Sequence, residues 1–205
     1  STWNNVRLFH NNGYGATTAG GGGDDNQEYA YFLGCKFYGN RLDGVLISNF
    51  RKGIVFDRCG GNSNGWYGLG AANAVGKPAD AKFIRGMVRI EGNRSGASII
   101  EFTRNFAEDC ARLVTLDTTN PIRTVTFNNN YTHPSLGLAD TNNHMLYLTG
   151  SGTGQIRNLE VKGNSPQNGA RGVVLAGDLA TGNIVDLDID VHQTTTYDKS
   201  ELSLR

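Results

Sequence analysis

The chain repeats a short pattern in which an apolar residue is followed three positions later by asparagine. The pattern occurs seven times, at Leu8/Asn11, Phe37/Asn40, Leu46/Asn49, Ile90/Asn93, Phe102/Asn105, Phe127/Asn130 and Val161/Asn164. Two further copies keep the apolar residue but end in another residue, at Phe56/Cys59 and Ile189/His192. Recurrence of this kind along a chain indicates structural repeats.

Each copy predicts a short β-strand that ends in a tight bend. Alternate side chains of a strand point to opposite faces, so the apolar residue faces inward and its neighbours face outward. Asparagine suits the bend because it tolerates left-handed backbone and its side chain bonds to nearby backbone. Stacked strand-and-bend units are typical of a solenoid, in which the asparagines form a ladder from coil to coil.

Two strand families alternate along the chain. One family carries the repeated pattern, and the other opens with a small residue, at Gly44, Gly86, Ala111 and Gly172. Members of the second family recur roughly every 20 to 35 residues, which is the period expected of solenoids and predicts about six to eight coils. Residues 13–27, 60–82 and 131–143 lack the pattern and are predicted to be loops.

Composition supports a chain with many turns. There are 28 Gly and 22 Asn but only 4 Pro, which favours bends with positive φ over disorder. Acidic and basic residues balance at 19 each, so net charge gives no case for nucleic-acid binding. No apolar run approaches the roughly 20 residues of a membrane-spanning helix, so we expect no membrane insertion.

The three cysteines, Cys35, Cys59 and Cys110, have neither a disulfide framework nor the spacing of metal ligands. They are predicted to be reduced, buried residues near the bends. Cys59 stands where asparagine is expected, so it is the better candidate for the ladder than Cys35.

Three strings carry a resemblance to a known fold family: Gly34–Asn40, Gly53–Cys59 and Leu159–Asn164. They resemble coils of a right-handed parallel β-helix of the pectate-lyase-like kind. Irregular coil length and long loops at the bends are similar to bacteriophage tailspikes and capsule depolymerases. The resemblance implies an all-β solenoid domain over residues 1–193, with residues 194–205 as an extension that leaves it. It also implies a homotrimer in the tail of a virion, and no catalytic motif of the family matches residue by residue.

A stack of parallel strands presents a long groove that suits an extended polymer such as a polysaccharide. Glycoside hydrolysis needs two carboxyl groups. Asp57 and Glu101 each neighbour an inward phenylalanine, so both side chains are expected to point outward. If their strands lie two coils apart in one sheet, their side chains reach the separation of an inverting enzyme. Alternatively, both are solvated acids beside Arg58 and Arg104. Glu28, at the end of a glycine-rich loop, is a further catalytic candidate.

Aromatic residues in polar segments are candidates for sugar binding, because flat rings with a polar rim stack on sugars. These residues are Trp66, Tyr67, Tyr131 and His133. The alternative is that the rings cap the solenoid or fill a subunit interface. Apolar residues expected to face outward, such as Val45 and Val55, favour lateral association.

No metal or cofactor is predicted. Asp186, Asp188 and Asp190 alternate with apolar residues, which indicates a solvated acidic strand face more than a calcium site.

The sequence therefore predicts a tailspike-like protein that binds a bacterial surface polysaccharide, either capsule or O-antigen, and hydrolyses its glycosidic bonds. One alternative is a non-catalytic receptor-binding or structural module of a phage tail. Another is a secreted polysaccharide lyase or epimerase, which a basic residue paired with an acid cluster would favour.

Overall fold

A computed structural model describes residues 1–19, 29–65, 85–94, 96–133, 144–151, 153–166, 171–177, 184–191 and 202–204. Regular secondary structure in this part of the chain is entirely β, which confirms the all-β prediction. Of the residues so described, none belongs to a helix that could cross a membrane.

Nineteen strands follow one another in the described part of the chain. They are β1 (Thr2–Asn4), β2 (Arg7–Phe9), β3 (Ala16–Ala19), β4 (Tyr29–Leu33), β5 (Lys36–Tyr38), β6 (Val45–Phe50), β7 (Gly53–Asp57), β8 (Gly60–Asn62), β9 (Gly86–Asn93), β10 (Ile99–Thr103), β11 (Phe106–Glu108), β12 (Arg112–Thr118), β13 (Ile122–Asn128), β14 (Tyr131–His133), β15 (His144–Gly150), β16 (Ile156–Pro166), β17 (Arg171–Gly177), β18 (Ile184–Val191) and β19 (Leu202–Leu204).

The strands form three parallel ladders, in which each strand pairs with the strand about three places further along the chain. Sheet A contains β1, β4, β7, β10, β13, the first part of β16 and β18. Sheet B contains β2, β5, β8, β11, β14 and the last part of β16. Sheet C contains β3, β6, β9, β12, β15, β17 and β19. A repeating unit is therefore one strand from each sheet, and each unit stacks on the previous one.

The prediction of two alternating strand families is wrong, because the unit has three strands. The repeated pattern occurs in both sheet A, at Phe102, and sheet B, at Phe37. Sheet B strands such as β5 and β11 have only three residues and follow a sheet A strand after a two-residue bend. In the sequence, the two strands therefore look like one.

The bend between sheets A and B repeats one backbone conformation. Its first residue has positive φ at Asn5, Gly34, Arg58, Arg104 and Asn129. The amide of that residue donates to the next unit, as in Arg58 N to Thr103 O at 3.1 Å. Its second residue is buried in the examples Cys59, Asn105 and Asn130. The left-handed position therefore precedes the ladder residue, whereas the sequence analysis assigned it to asparagine.

Two side-chain ladders run along the stack, which confirms the predicted stacking of asparagines. The first joins Cys59, Asn105, Asn130 and Asn164 at the bend between sheets A and B. The second joins Asn11, Asn40, Asn64 and Cys110 at the bend between sheets B and C. Burial raises the pKa of the Cys59 and Cys110 thiols to about 12, so both remain protonated.

Cys35 is also part of the first ladder, although the sequence favoured Cys59 alone. The Cys59 thiol donates to Phe32 O at 3.2 Å, and the Cys35 thiol donates to Trp3 O at 3.4 Å. In later units, the amide of Asn105 donates to the equivalent carbonyl, Phe56 O, at 3.0 Å. A thiol therefore replaces the asparagine amide as the donor in the first units.

The core is a continuous column between the three sheets. One in-register row stacks the rings of Phe32, Phe56, Phe102 and Phe127, with successive centroids 4.3, 4.8 and 5.3 Å apart. All four side chains are fully buried, which confirms that the apolar residue of the pattern faces inward.

Two predictions of which way a side chain faces are wrong: Val45 was expected to face outward, and Asn49 was expected to join a ladder. Val45 is fully buried, because it lies in the inward phase of β6. Asn49 is exposed with φ of 53°, so the Leu46/Asn49 copy of the pattern is out of phase with the ladders.

Candidate functional site

The outer face of sheet C brings two carboxyl groups together. Glu91 on β9 and Asp117 on β12 occupy directly paired positions on adjacent parallel strands. Adjacent strands lie about 4.8 Å apart, so the two side chains leave the sheet side by side. Residues 66–84 and 134–143 precede β9 and β15 of this sheet and lie outside the described part of the chain.

A buried charge network supports one member of the pair. The Asp43 carboxylate is fully buried and accepts from Gly86 N at 2.8 Å, Arg85 Nη1 at 3.0 Å and Arg89 Nε at 3.3 Å. Arg89 Nη1 in turn donates to Glu91 Oε1 at 3.2 Å. Asp43 therefore holds Arg89 in place, and Arg89 fixes the position of the Glu91 carboxylate.

The other member of the pair has a perturbed pKa. Burial and the nearby charge of Glu91 raise the pKa of Asp117, and Arg89 opposes this only in part. Two neighbouring carboxyl groups, one of which has a raised pKa, are the arrangement found where an acid and a base act on one substrate.

A cation on β12 and an aromatic ring on β15 lie on the same sheet as the pair. The Arg112 guanidinium lies over the Tyr147 ring, 4.1 Å from its centroid, and Arg112 Nη1 donates to Thr115 Oγ1 at 3.2 Å. The His144 ring also stacks on the Tyr147 ring, with the two centroids 5.7 Å apart. The sheet C face thus combines acids, arginines and an aromatic ring within a few strands.

Asp57 and Glu101 share sheet A, but their strands are adjacent and not two units apart as expected. Asp57 pairs with Thr103, and Glu101 pairs with Val55, so the two carboxyl groups are diagonal neighbours. Asp57 forms salt bridges with Arg58 at 3.0 Å and Arg104 at 2.8 Å. Glu101 accepts from Thr103 Oγ1 at 3.2 Å.

Tyr131 and His133 lie on strand β14 of sheet B and not in a loop as predicted. Their rings are 6.3 Å apart and nearly parallel, and Tyr131 is 40% exposed. They face outward from a different sheet than Asp57 and Glu101, so the structure does not bring the two sets together. Glu28, Trp66 and Tyr67 lie outside the described residues.

Sequence reasoning missed another exposed aromatic pair, which lies on sheet A. Tyr29 and Tyr31 are 40% and 37% exposed, and their rings are 6.0 Å apart with planes within 15°. Tyr31 pairs with Val55, so the rings border the Asp57 and Glu101 strands. Alternation of Tyr29 and Tyr31 about the buried Ala30 was the available signal.

Asp186 and Asp188 are exposed on β18, and Lys162 Nζ lies 2.6 Å from Asp188. Among the described residues no group of three or more His, Cys, Asp or Glu side chains is arranged to hold a metal ion.

The chain was compared with protein-family models, curated proteins and solved structures, and no match was found in any of the three.

Proposed function

We propose that the chain is a right-handed parallel β-helix of a tailspike-like protein that binds a bacterial surface polysaccharide and hydrolyses its glycosidic bonds. The observation that carries this proposal is the Glu91 and Asp117 pair on the outer face of sheet C. In-register parallel sheets, repeated bends and stacked ladders support the β-helix part of the proposal.

The proposed chemistry assigns different tasks to the two carboxyl groups. Asp117, whose pKa is raised, donates its proton to the leaving oxygen of the glycosidic bond. Glu91, which pairs with Arg89, acts as the carboxylate that attacks or stabilises the anomeric carbon. Side chains on adjacent strands match the roughly 5 Å separation of retaining enzymes better than the wider spacing of inverting ones.

A polysaccharide lyase or epimerase is the second candidate, favoured by arginines beside an acid cluster. Such a reaction needs a base that removes a proton from a sugar carbon. Although burial opposes its charge, the Asp43 and Tyr14 contacts raise the pKa of Arg85 further, so this residue stays protonated. The arginines therefore suit charge stabilisation better than proton removal, and hydrolysis is the better-supported reaction.

The third candidate is a receptor-binding or structural module without catalysis, located in a virion tail, or a secreted protein with the same role. The Tyr29 and Tyr31 rings provide a platform that would bind a glycan without cleaving it.

The test is release of reducing ends from a panel of capsule and O-antigen polysaccharides, together with ultraviolet absorbance of unsaturated products. We expect reducing ends without that absorbance. Glu91→Gln and Asp117→Asn should each lower the rate at least about a hundredfold, because general acid catalysis alone contributes that much.

Two control variants separate this site from the others. Asp57→Asn with Glu101→Gln tests the sheet A carboxyl groups, and Glu108→Gln removes an exposed acid of sheet B. Both controls should retain activity. Loss of activity only in the sheet A variant would move the proposal to that face, unsaturated products would mean a lyase, and bound glycan without any product would leave a binding module.

A further inference from the structure

Positive charge gathers at the corner where the chain passes from sheet C to sheet A. We define this basic corner by five side chains: Arg51, Lys52, Arg94, Arg123 and Arg157. The described residues of the corner, 51–52, 93–94, 96–99, 119–124, 151 and 153–158, contain no acidic residue, and one acid, Asp186 on β18, pairs with the corner residue Asn158. Because the whole chain has no net charge, this is segregation of charge and not a general excess.

A pocket of about 460 Å³ lies at this corner. It is lined by Gly96, Ala97, Ser98, Pro121, Arg123 and Arg157. Ile122 pairs with Ile156 and Thr124 with Asn158, so Arg123 and Arg157 occupy equivalent positions on adjacent strands. Both arginines are exposed, and neither makes a salt bridge with another described residue.

Two exposed like charges on adjacent strands repel each other weakly, and an anion bound between them would remove that repulsion. A guanidinium presents a planar set of donors that matches a carboxylate with two parallel hydrogen bonds. The volume of the pocket is within the range of small-ligand sites. The site therefore fits one acidic sugar residue.

The corner is held in one conformation by its own hydrogen bonds. The Asn93 side-chain oxygen accepts from Thr119 N at 2.9 Å and from Asn120 N at 3.1 Å. Pro121 restricts the backbone directly after them. The pocket is thus built on a rigid bend, which is the condition for selective binding of a small charged group.

The acid pair of sheet C is also close to this corner along the chain. Glu91 precedes the corner residue Asn93 on β9, and β12 ends at Thr118, directly before Thr119 of the corner. A polymer that crosses Glu91 and Asp117 towards sheet A therefore meets the pocket next.

We propose that Arg123 and Arg157 form a subsite for the carboxylate of a hexuronic acid, so that the polysaccharide is an acidic one. This inference rests on the proposed function for the identity of the polymer. A nucleic acid fits less well, because the described residues that line the pocket include no aromatic ring on which bases could stack.

The test measures the affinity of cleavage-deficient Asp117→Asn protein for polygalacturonate, alginate and a glucuronate-containing capsule polysaccharide. Each polymer is paired with its own carboxyl-reduced form, in which the carboxylates have become alcohols. We expect at least one acidic polymer to bind about tenfold or more tightly than its reduced form, since charge-assisted hydrogen bonds correspond to that difference.

Arg123→Gln with Arg157→Gln should abolish this preference. Arg7→Gln with Arg41→Gln, which removes the same charge from exposed positions elsewhere, should preserve it. Equal affinity for acidic and reduced polymers, or a preference that survives the Arg123 and Arg157 changes, would overturn the inference. Equally tight, arginine-dependent binding of a single-stranded DNA oligonucleotide would also overturn it.

Cleavage by the unsubstituted protein is measured separately on the same polymers. Arginine-dependent binding without any product would leave the subsite standing and remove the proposed hydrolysis. Cleavage of neutral and acidic polymers at equal rates would support the proposed hydrolysis and remove the carboxylate subsite.

Discussion

Asn130 shows how many hydrogen bonds one side chain of the ladder makes. Its amide donates to Phe102 O and to Asn164 Oδ1, both at 2.9 Å, and its oxygen accepts from Asn105 N at 2.9 Å. These groups are buried, so water cannot replace the lost partners. Asn130 thus satisfies buried backbone groups of the preceding unit and links the ladder to the next one.

We expect Asn130→Ala to lower the free energy of unfolding by about 2–4 kcal/mol, because it leaves several buried donors and acceptors unpaired. The matched control is Asn129→Gly, which changes the preceding exposed residue with φ of 56° to one that tolerates this conformation. The control should remain within about 0.5 kcal/mol of the original protein. Denaturant unfolding measures both, and equal loss in the two variants would show that the ladder contributes little.

The spacing of the ladder residues was predictable, whereas the left-handed positions were not. Periodic apolar residues and a small polar residue at the bend are visible along the chain, as at Phe102 and Asn105. The left-handed position falls on Arg58 and Arg104, which are residue types without a turn signal. Their conformation is imposed by hydrogen bonds to the next unit, which a local pattern does not reveal.

At the scale of strands, pairing decides which acids become neighbours. Glu91 and Asp117 are directly opposite because β9 and β12 lie in successive units of sheet C. Asp117 is the member whose pKa is raised, so the folded state holds its proton more tightly than the unfolded chain does. Its contribution to stability is therefore present below the ordinary value of 3.8 and is lost as the pH rises through the raised pKa.

We expect Asp117→Asn to have an unfolding temperature at neutral pH that equals or exceeds that of the original protein, since it removes a disfavoured charge. The variant should also depend less on pH between the ordinary pKa of aspartate and neutrality. Thermal unfolding over a pH series checks this, with the exposed residue Asp186→Asn as control. A clear fall in Tm at neutral pH for Asp117→Asn alone would contradict the assigned environment.

The candidate site was harder to find in the sequence than the strands were. Pairing of Glu91 with Asp117 depends on the number of residues in one whole unit, and unit length varies in this chain. Asp57 and Glu101 lie on adjacent strands because β7 pairs directly with β10, although the long 60–82 segment lies between them in the sequence. The burial of Asp43 was not predictable from its local sequence, because its carboxylate is paired with Arg85 and Arg89, which lie more than 40 residues later in the chain.

At the scale of the molecule, charge is distributed unevenly, with a basic corner between the acids of two sheets. The basic corner separates the acid pair of sheet C from the acids of sheet A, which include Asp57, Glu101 and Glu160. Net charge, which is zero, conceals this arrangement. Composition alone therefore could not reveal the basic corner.

The proposed homotrimer belongs to this scale as well. Phe9 and Tyr131, which are 43% and 40% exposed on the outer face of sheet B, offer apolar surface for association. We expect sedimentation to give a single species of about three times 22.1 kDa, the mass of a closed three-fold assembly. A species at the mass of one chain across the concentration range would contradict the trimer.

The three corners of the unit differ in how much length they accept. Between sheets A and B the connection is two residues, as in 34–35, 58–59 and 104–105. Between sheets B and C it ranges from residues 109–111 to residues 63–85, and between sheets C and A from 51–52 to 20–28. Insertions at the latter two corners leave the pairing register unchanged, since the strands on either side remain aligned. Recognition can therefore evolve, or be engineered by grafting new segments, along two edges of the molecule while the third edge preserves the fold.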